Sequence, residues 1–268
     1  MSSNGTIVFH VTVQPDTAGL TAVEMQHNYH LPDFVGHFSN YVCAVSTGNP
    51  TLLWNPLRDM FNAWHKFHLQ LHSSFRTHYI MKSQVVQAYL HSQEHLLGAH
   101  DIVLINCGPS VMGSCLVLYP LCHSLRASTN ITQVKAVFMP RLKPVLNTTD
   151  SPLLFVDLFT VVANPADDQE GVELYRVQCP HLTEDISCCV IIPMTDVVHP
   201  VELILVFETK IPGVEILSEN CLDAYDQYYV NSFADKKTFN VILYVPHRIH
   251  VAFRPAVILI IEIQITIQ

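Results

Sequence analysis

Residues 54–72 read Trp-Asn-Pro-Leu-Arg-Asp-Met-Phe-Asn-Ala-Trp-His-Lys-Phe-His-Leu-Gln-Leu-His, and residues 81–91 read Met-Lys-Ser-Gln-Val-Val-Gln-Ala-Tyr-Leu-His. Asn55 is placed to cap, and Pro56 falls at a first helical position, where its missing N–H does no harm. Leu57, Met60, Phe61 and Trp64 recur at helical spacing, which predicts a short helix over 57–64. At Phe67 the period changes to two. Phe67, Leu69 and Leu71 fall on one face and His68, Gln70 and His72 on the other, as in a half-buried strand. After a polar crossing, Val85 and Val86 mark the middle of a second strand, expected to neighbour the first.

Working outward, 7–13 and 38–46 read as strands, with 15–32 as the loop between them. Thr47-Gly48-Asn49-Pro50 is a turn cluster that closes the second. The stretch 95–101 reads as loop, and 102–106 and 114–119 as short apolar runs around the Gly108-Pro109 turn. Val134, Val137 and Phe138 favour a helix over 132–139, with a strand as the alternative. The stretches 153–163, 172–178, 186–192, 201–209, 239–245 and 256–267 read as strands. The last alternates Ile261, Ile263, Ile265 and Ile267 against Glu262, Gln264, Thr266 and Gln268. The stretch 223–232, with Tyr225, Tyr228 and Tyr229, reads as an extended loop or one helical turn. Roughly nine or ten strands with so few helix signals disfavour a parallel α/β sheet. Long connections suit Greek-key crossovers. The expected fold is all-β: an eight-stranded antiparallel jelly-roll sandwich with one or two short helices in the connections, as a single domain over 1–268.

A hydrophobic fraction of 49% with 14% charged residues excludes a disordered chain and provides for a sizeable core. The net charge is −9, and the 14 Lys and Arg are spread singly apart from Lys236-Lys237. With no basic arm, direct tight binding to nucleic-acid phosphates is not expected. None of the 8 cysteines forms a Cys-x-x-Cys pair, so the usual zinc and redox spacing is absent. The opening residues lack a signal-peptide pattern, so the cysteines are expected to be reduced and the sequons at Asn4, Asn130 and Asn147 unused. No apolar run reaches transmembrane length, and no membrane partner is expected.

A short helix ending in an aromatic, followed by an alternating strand and a second strand ending near Ala88-Tyr89, resembles the start of the jelly-roll domain in capsid proteins of picorna-like positive-strand RNA viruses. The match covers about forty residues, and His65-Lys66 stands where that family commonly carries Arg-Gly. The resemblance implies a non-enzymatic structural subunit without a cofactor, located in the virion and assembled in the host cytoplasm. It implies partners among copies of itself or sister capsid proteins, genome RNA held indirectly through small cations or another chain, and a host receptor. It also implies that Gln268 is a polyprotein cleavage end. The candidate assembly contacts are Leu57, Met60, Phe61 and Trp64 on the expected helix, and Tyr225, Tyr228 and Tyr229; internal packing is the competing role for both groups.

Histidine is the compositional outlier, with 16 in the chain. His65, His68 and His72 are candidate pH-sensitive contacts, because imidazoles at a subunit boundary gain charge between about pH 5 and 8. A jelly roll with inward histidines is also the cupin architecture, so a cupin-like metal-dependent enzyme using strand histidines is the alternative reading. Cupin ligands stand two apart beside glycines, whereas these stand three and four apart with no glycine in the segment. No nucleophile elbow or phosphate-binding glycine loop is present. Asp167, Asp168 and Glu170 read as a solvated turn.

Overall fold

The computed structural model describes residues 8–46, 54–71, 80–89, 99–106, 129–141, 151–163, 174–178, 189–209, 225–231 and 234. In chain order the elements are β1 (Val8–His10), β2 (Thr17–Thr21), α1 (Ala22–Asn28), α2 (Phe34–Ser46), β3 (Met60–Trp64), β4 (Lys66–Gln70), β5 (Gln84–Tyr89), β6 (Ala99–His100), β7 (Ile102–Asn106) and β8 (Thr129–Pro140). There follow β9 (Leu153–Leu158), β10 (Thr160–Ala163), β11 (Arg176–Gln178), β12 (Cys189–Pro193), β13 (Val197–Pro200), β14 (Leu203–Leu205) and β15 (Gln227–Val230). The protein is mostly antiparallel β. Its described strands form three sheets: an N-terminal sheet ordered β1-β4-β5-β6, a C-terminal sheet ordered β10-β11-β15-β14, and a seven-stranded central sheet.

The centre of the central sheet is β8. Along one side it pairs with β9, and beyond β9 lies β12. Along the other side its first half pairs with β7, which carries β13, and its last residues pair with β3, which carries β2. One face of this sheet packs on the N-terminal sheet through Trp64, Phe67, Leu69, Val86, Val134, Val137, Leu154 and Val156. The opposite face is shared. The two helices cover one end through Met25, Phe34, Phe38, Phe61, Phe138 and Phe155. The C-terminal sheet covers the other through Leu104, Ile131, Phe159, Val177 and Tyr228.

The strand pair expected around Phe67 and Val86 is present. β4 and β5 are antiparallel with Phe67 opposite Val86, and both side chains are fully buried. The expected strand 102–106 is β7 with the same bounds, those at 7–13, 172–178 and 201–209 each contain a shorter one, and β12 overlaps the expected 186–192 and runs on to Pro193. The stretch 223–232, expected as an extended loop or one helical turn, instead contains β15, a strand paired with β11 and β14. The run 153–163 breaks at Phe159, whose N–H bonds to the Ile131 carbonyl at 3.0 Å, so β9 and β10 enter different sheets. The expected strands 114–119, 239–245 and 256–267 lie outside the described residues.

Four expectations are corrected. The helix expected over 57–64 is a turn followed by β3. Asn55 and Asp59 close that turn: Leu57 N–H donates to Asn55 Oδ1 at 2.9 Å, and Asn55 N–H donates to Asp59 Oδ2 at 2.6 Å. Beyond it Phe61 and Ala63 face the helices while Trp64 faces the N-terminal sheet, an alternation of period two. The helix favoured over 132–139 lies within β8, whose two faces are both covered; an apolar run buried on both sides carries no clear period. The strand expected over 38–46 belongs to α2, where Phe34, Phe38 and Val42 stand four apart and are all buried. The expected loop 15–32 also contains β2 and α1; α1 begins at a capping box in which Thr21 Oγ1 accepts from Glu24 N–H and the Glu24 carboxylate accepts from Thr21 N–H.

Phe61 binds the helices to the central sheet. Its ring centre lies 5.3 Å from that of Phe34, 5.1 Å from Phe38 and 5.8 Å from Phe138. Phe61→Ala is expected to lower unfolding stability by about 3–5 kcal/mol, read from urea denaturation.

Candidate functional site

The outer face of the N-terminal sheet is set by the alternation of β4. With Phe67 and Leu69 turned into the core, Lys66, His68 and Gln70 are left on the other face. Strand β1 lies antiparallel beside β4 in the register Val8 to Gln70, Phe9 to Leu69 and His10 to His68. The two imidazoles are therefore cross-strand neighbours, with ring centres 6.4 Å apart and planes tilted by 54°. Ser83 Oγ lies 3.5 Å from His68 Nδ1. Protonating both rings would set like charges directly opposite each other, an unfavourable cross-strand pair.

His65 belongs to a different environment. It stands where the chain leaves β3 for β4, between the central and N-terminal sheets. Its N–H donates to Asp16 Oδ2 at 2.7 Å, and its carbonyl accepts from Ala88 N–H at 2.7 Å. Its ring lies 6.4 Å from that of Tyr29 and 5.7 Å from that of Tyr89. Burial pushes the Tyr29 phenol up to about 12; the Thr17 hydroxyl opposes this and the Asp16 charge adds to it. His65 Nε2 and Tyr29 Oη are buried without a closed hydrogen bond. His65 and His68 thus do not act as one cluster, and His72 lies outside the described residues.

Of the candidate assembly contacts, Phe61, Trp64, Tyr225 and Tyr228 are corrected to interior residues. Trp64 Nε1 donates to the Thr12 carbonyl at 3.0 Å, and Tyr228 Oη donates to the Tyr225 carbonyl at 2.8 Å. An aromatic ring whose polar atom is already engaged inside the fold is not offered to a partner. Tyr229 is half-buried on β15. Leu57 is 81% exposed and Met60 42%, so these two side chains do face outward, at the rim where β3 begins. Gln268 lies outside the described residues.

Sequence reasoning passed over a buried polar array across three adjacent strands. Asp157 on β9 is buried; its Oδ1 accepts from Cys189 Sγ at 2.7 Å, and its Oδ2 lies 3.6 Å from Lys135 Nζ. Cys189 sits opposite Asp157 in the β12–β9 register, and Lys135 falls where a bulge shifts the β8–β9 register. The signal was a lone acid inside the apolar run Leu153-Leu154-Phe155-Val156-Asp157-Leu158. A buried carboxylate requires a cation and hydrogen-bond donors nearby, and Lys135 and Cys189 supply them. His37 on α2 meets Phe155 edge-on with ring centres 5.5 Å apart. Burial lowers its pKa, against the opposing charges of Asp33 and Asp157. Cys43 is an exposed thiol outside any disulfide, and the Cys189 thiol is engaged by Asp157.

Among the described residues no three His, Cys, Asp or Glu side chains converge to hold a metal ion, so a cupin-type ligand set is not seen there. No described helix is long and apolar enough to cross a membrane.

Fold and site together define a layered antiparallel β protein with a histidine-bearing outer sheet and a buried charge array. The chain belongs to the DUF6830 family, described as a domain of unknown function, which matches residues 1–178. No curated protein and no solved structure matches it. Strands β12 and β13 lie beyond the matched residues yet pair with β9 and β7 inside them.

Lys135→Met is expected to destabilise the protein by about 3 kcal/mol in urea unfolding, and Lys135→Met combined with Asp157→Leu by less, because the single change leaves a buried charge without its cation. His37 predicts a pH dependence. Its folded pKa lies below the ordinary 6.5, so the unfolded chain takes up the proton first. The stability tied to the neutral ring is therefore full above pH 6.5 and is lost as pH falls through the folded value. Thermal melts of wild type and His37→Gln should diverge less below that range than above it.

Proposed function

We propose that this chain is a non-catalytic structural subunit that works by assembling with copies of itself or with related β proteins. In its most specific form it is a jelly-roll subunit of an icosahedral, picorna-like capsid enclosing an RNA genome. The observation that carries the assembly reading is the apolar rim at the start of β3. Leu57 and Met60 are exposed at the start of β3, and Met60 stands opposite Thr21 on β2, the last strand on that side of the central sheet among the described strands. Exposed apolar side chains grouped at the rim of a sheet are features that a partner chain covers.

The capsid form is supported by the β4–β5 ribbon, the part of the resemblance whose secondary structure is retained. The helix that accompanied it in that resemblance is absent here, replaced by β3. On this reading the protein resides in the virion after assembly in the host cytoplasm and presents an outer surface to a host receptor. The chain's net charge of −9 leaves the genome to be neutralised by small cations or another chain.

Light scattering and electron microscopy of the purified protein test the proposal. Wild type should form oligomers or particles that grow with concentration. Leu57→Asp with Met60→Asp should remain monomeric while changing fold stability by no more than about 0.5 kcal/mol, as for surface substitutions. Wild type that stays monomeric at every concentration would overturn the assembly reading.

A further inference from the structure

The geometry points to a divalent-cation site made by His10 and His68 on the outer face of the N-terminal sheet, taking zinc or copper(II) and tying β1 to β4. Imidazole nitrogen suits these borderline ions. A metal–nitrogen distance of about 2.0–2.1 Å puts a shared ion about 3.2 Å from each ring centre, so two ligating rings stand about 5–6.5 Å apart depending on the angle at the metal. The 6.4 Å between these rings is the wide end of that span, the one for ligands about 180° apart, and a turn of the two side chains by about 1 Å towards each other reaches the roughly 5.2 Å of a tetrahedral pair.

The register makes the pair specific. His10 and His68 are direct cross-strand partners, so a small side-chain rotation brings both nitrogens to one point without moving the backbone. The Ser83 hydroxyl beside His68 Nδ1 adds a positioning contact. When Oγ accepts from Nδ1–H, the Nε2 lone pair is left for the ion, the arrangement by which an outer group orients a metal-binding histidine. Water completes the coordination, since two imidazoles fill only half of a tetrahedral shell.

The consequence is mechanical. β1 is a three-residue strand on the margin of its sheet, paired only with β4 among the described strands. An ion bound by one residue from each strand binds the folded arrangement and not the separated one, so it holds β1 in place. Binding in this way does not depend on the assembly reading.

Copper(II) added to the full-length protein, followed by electron paramagnetic resonance, is the test. One equivalent should show a two-nitrogen signature, and zinc should slow amide exchange at Val8–His10. His10→Asn and His68→Asn should each remove the two-nitrogen signature. Loss of an outer-shell partner costs about 10–100-fold in affinity, so loss of a ligand should cost about 100-fold or more, and Ser83→Ala about tenfold. His27→Asn, an exposed imidazole on α1, should change nothing. Melting curves establish that the variants fold, and His10 is itself exposed. Wild type without the signature would overturn the proposal, as would His10→Asn and His68→Asn binding as tightly as wild type.

Discussion

A twelve-residue strand with almost no wetted side is the constraint on which the structure depends. From Thr129 to Pro140, β8 is flanked by other strands along both edges and covered on both faces. Its amides and carbonyls have little water to turn to, so β9 on one side and β7 and β3 on the other are required partners. Its side chains then specify the layers. Val134 and Val137 receive the N-terminal sheet, Ala136 and Phe138 the helices, and Ile131 the C-terminal sheet. The register shift between Val134 and Ala136 sits at the middle of this division. A bulge that re-aims the side chains of a central strand lets one strand serve three different coverings.

The same crowding explains what the sequence reveals and what it conceals. The β4 stretch was legible because one of its faces is wet: Phe67 and Leu69 alternate with His68 and Gln70, and no helix produces that pattern. β8 was not, because apolar residues face both ways and Val134, Val137 and Phe138 fit a helical spacing as well as a strand. β3 deceived for a related reason. Ala63 is small enough to escape notice as a core residue, so Leu57, Met60, Phe61 and Trp64 stood out at spacings of three and four. α2 carried a readable signal in Phe34, Phe38 and Val42, but Tyr41, Cys43 and Val45 between and after them turned it into an apparently continuous apolar run.

The site residues divide along the same line. Aromatics that look like contact candidates in a sequence, such as Trp64 and Tyr228, are large enough to be worth burying, and each also finds a backbone carbonyl for its polar atom. The pairing of His10 with His68 was hidden because it depends on the β1–β4 register, which joins residues far apart in the chain. The Asp157 array was half visible: the acid stands out in its run, while Lys135 and Cys189 are brought to it only by strand order. Charge placed inside a sheet specifies alignment, because sliding β9 along either neighbour would strand the carboxylate among apolar groups.

Cys189 and Val197 belong to strands that follow residue 178, where the family match stops, and those strands close the outer margins of β9 and β7. The recognisable segment and the cooperative unit are therefore different lengths of chain. A fragment cut at that boundary would take one described neighbour each from β9, β7 and β11, leaving three raw ladders of unpaired amides and carbonyls along with an acid deprived of its thiol donor. Such a fragment would tend to gather with others of its kind. Evolutionary shuffling of the shorter segment would thus favour hosts that bring replacement strands with them.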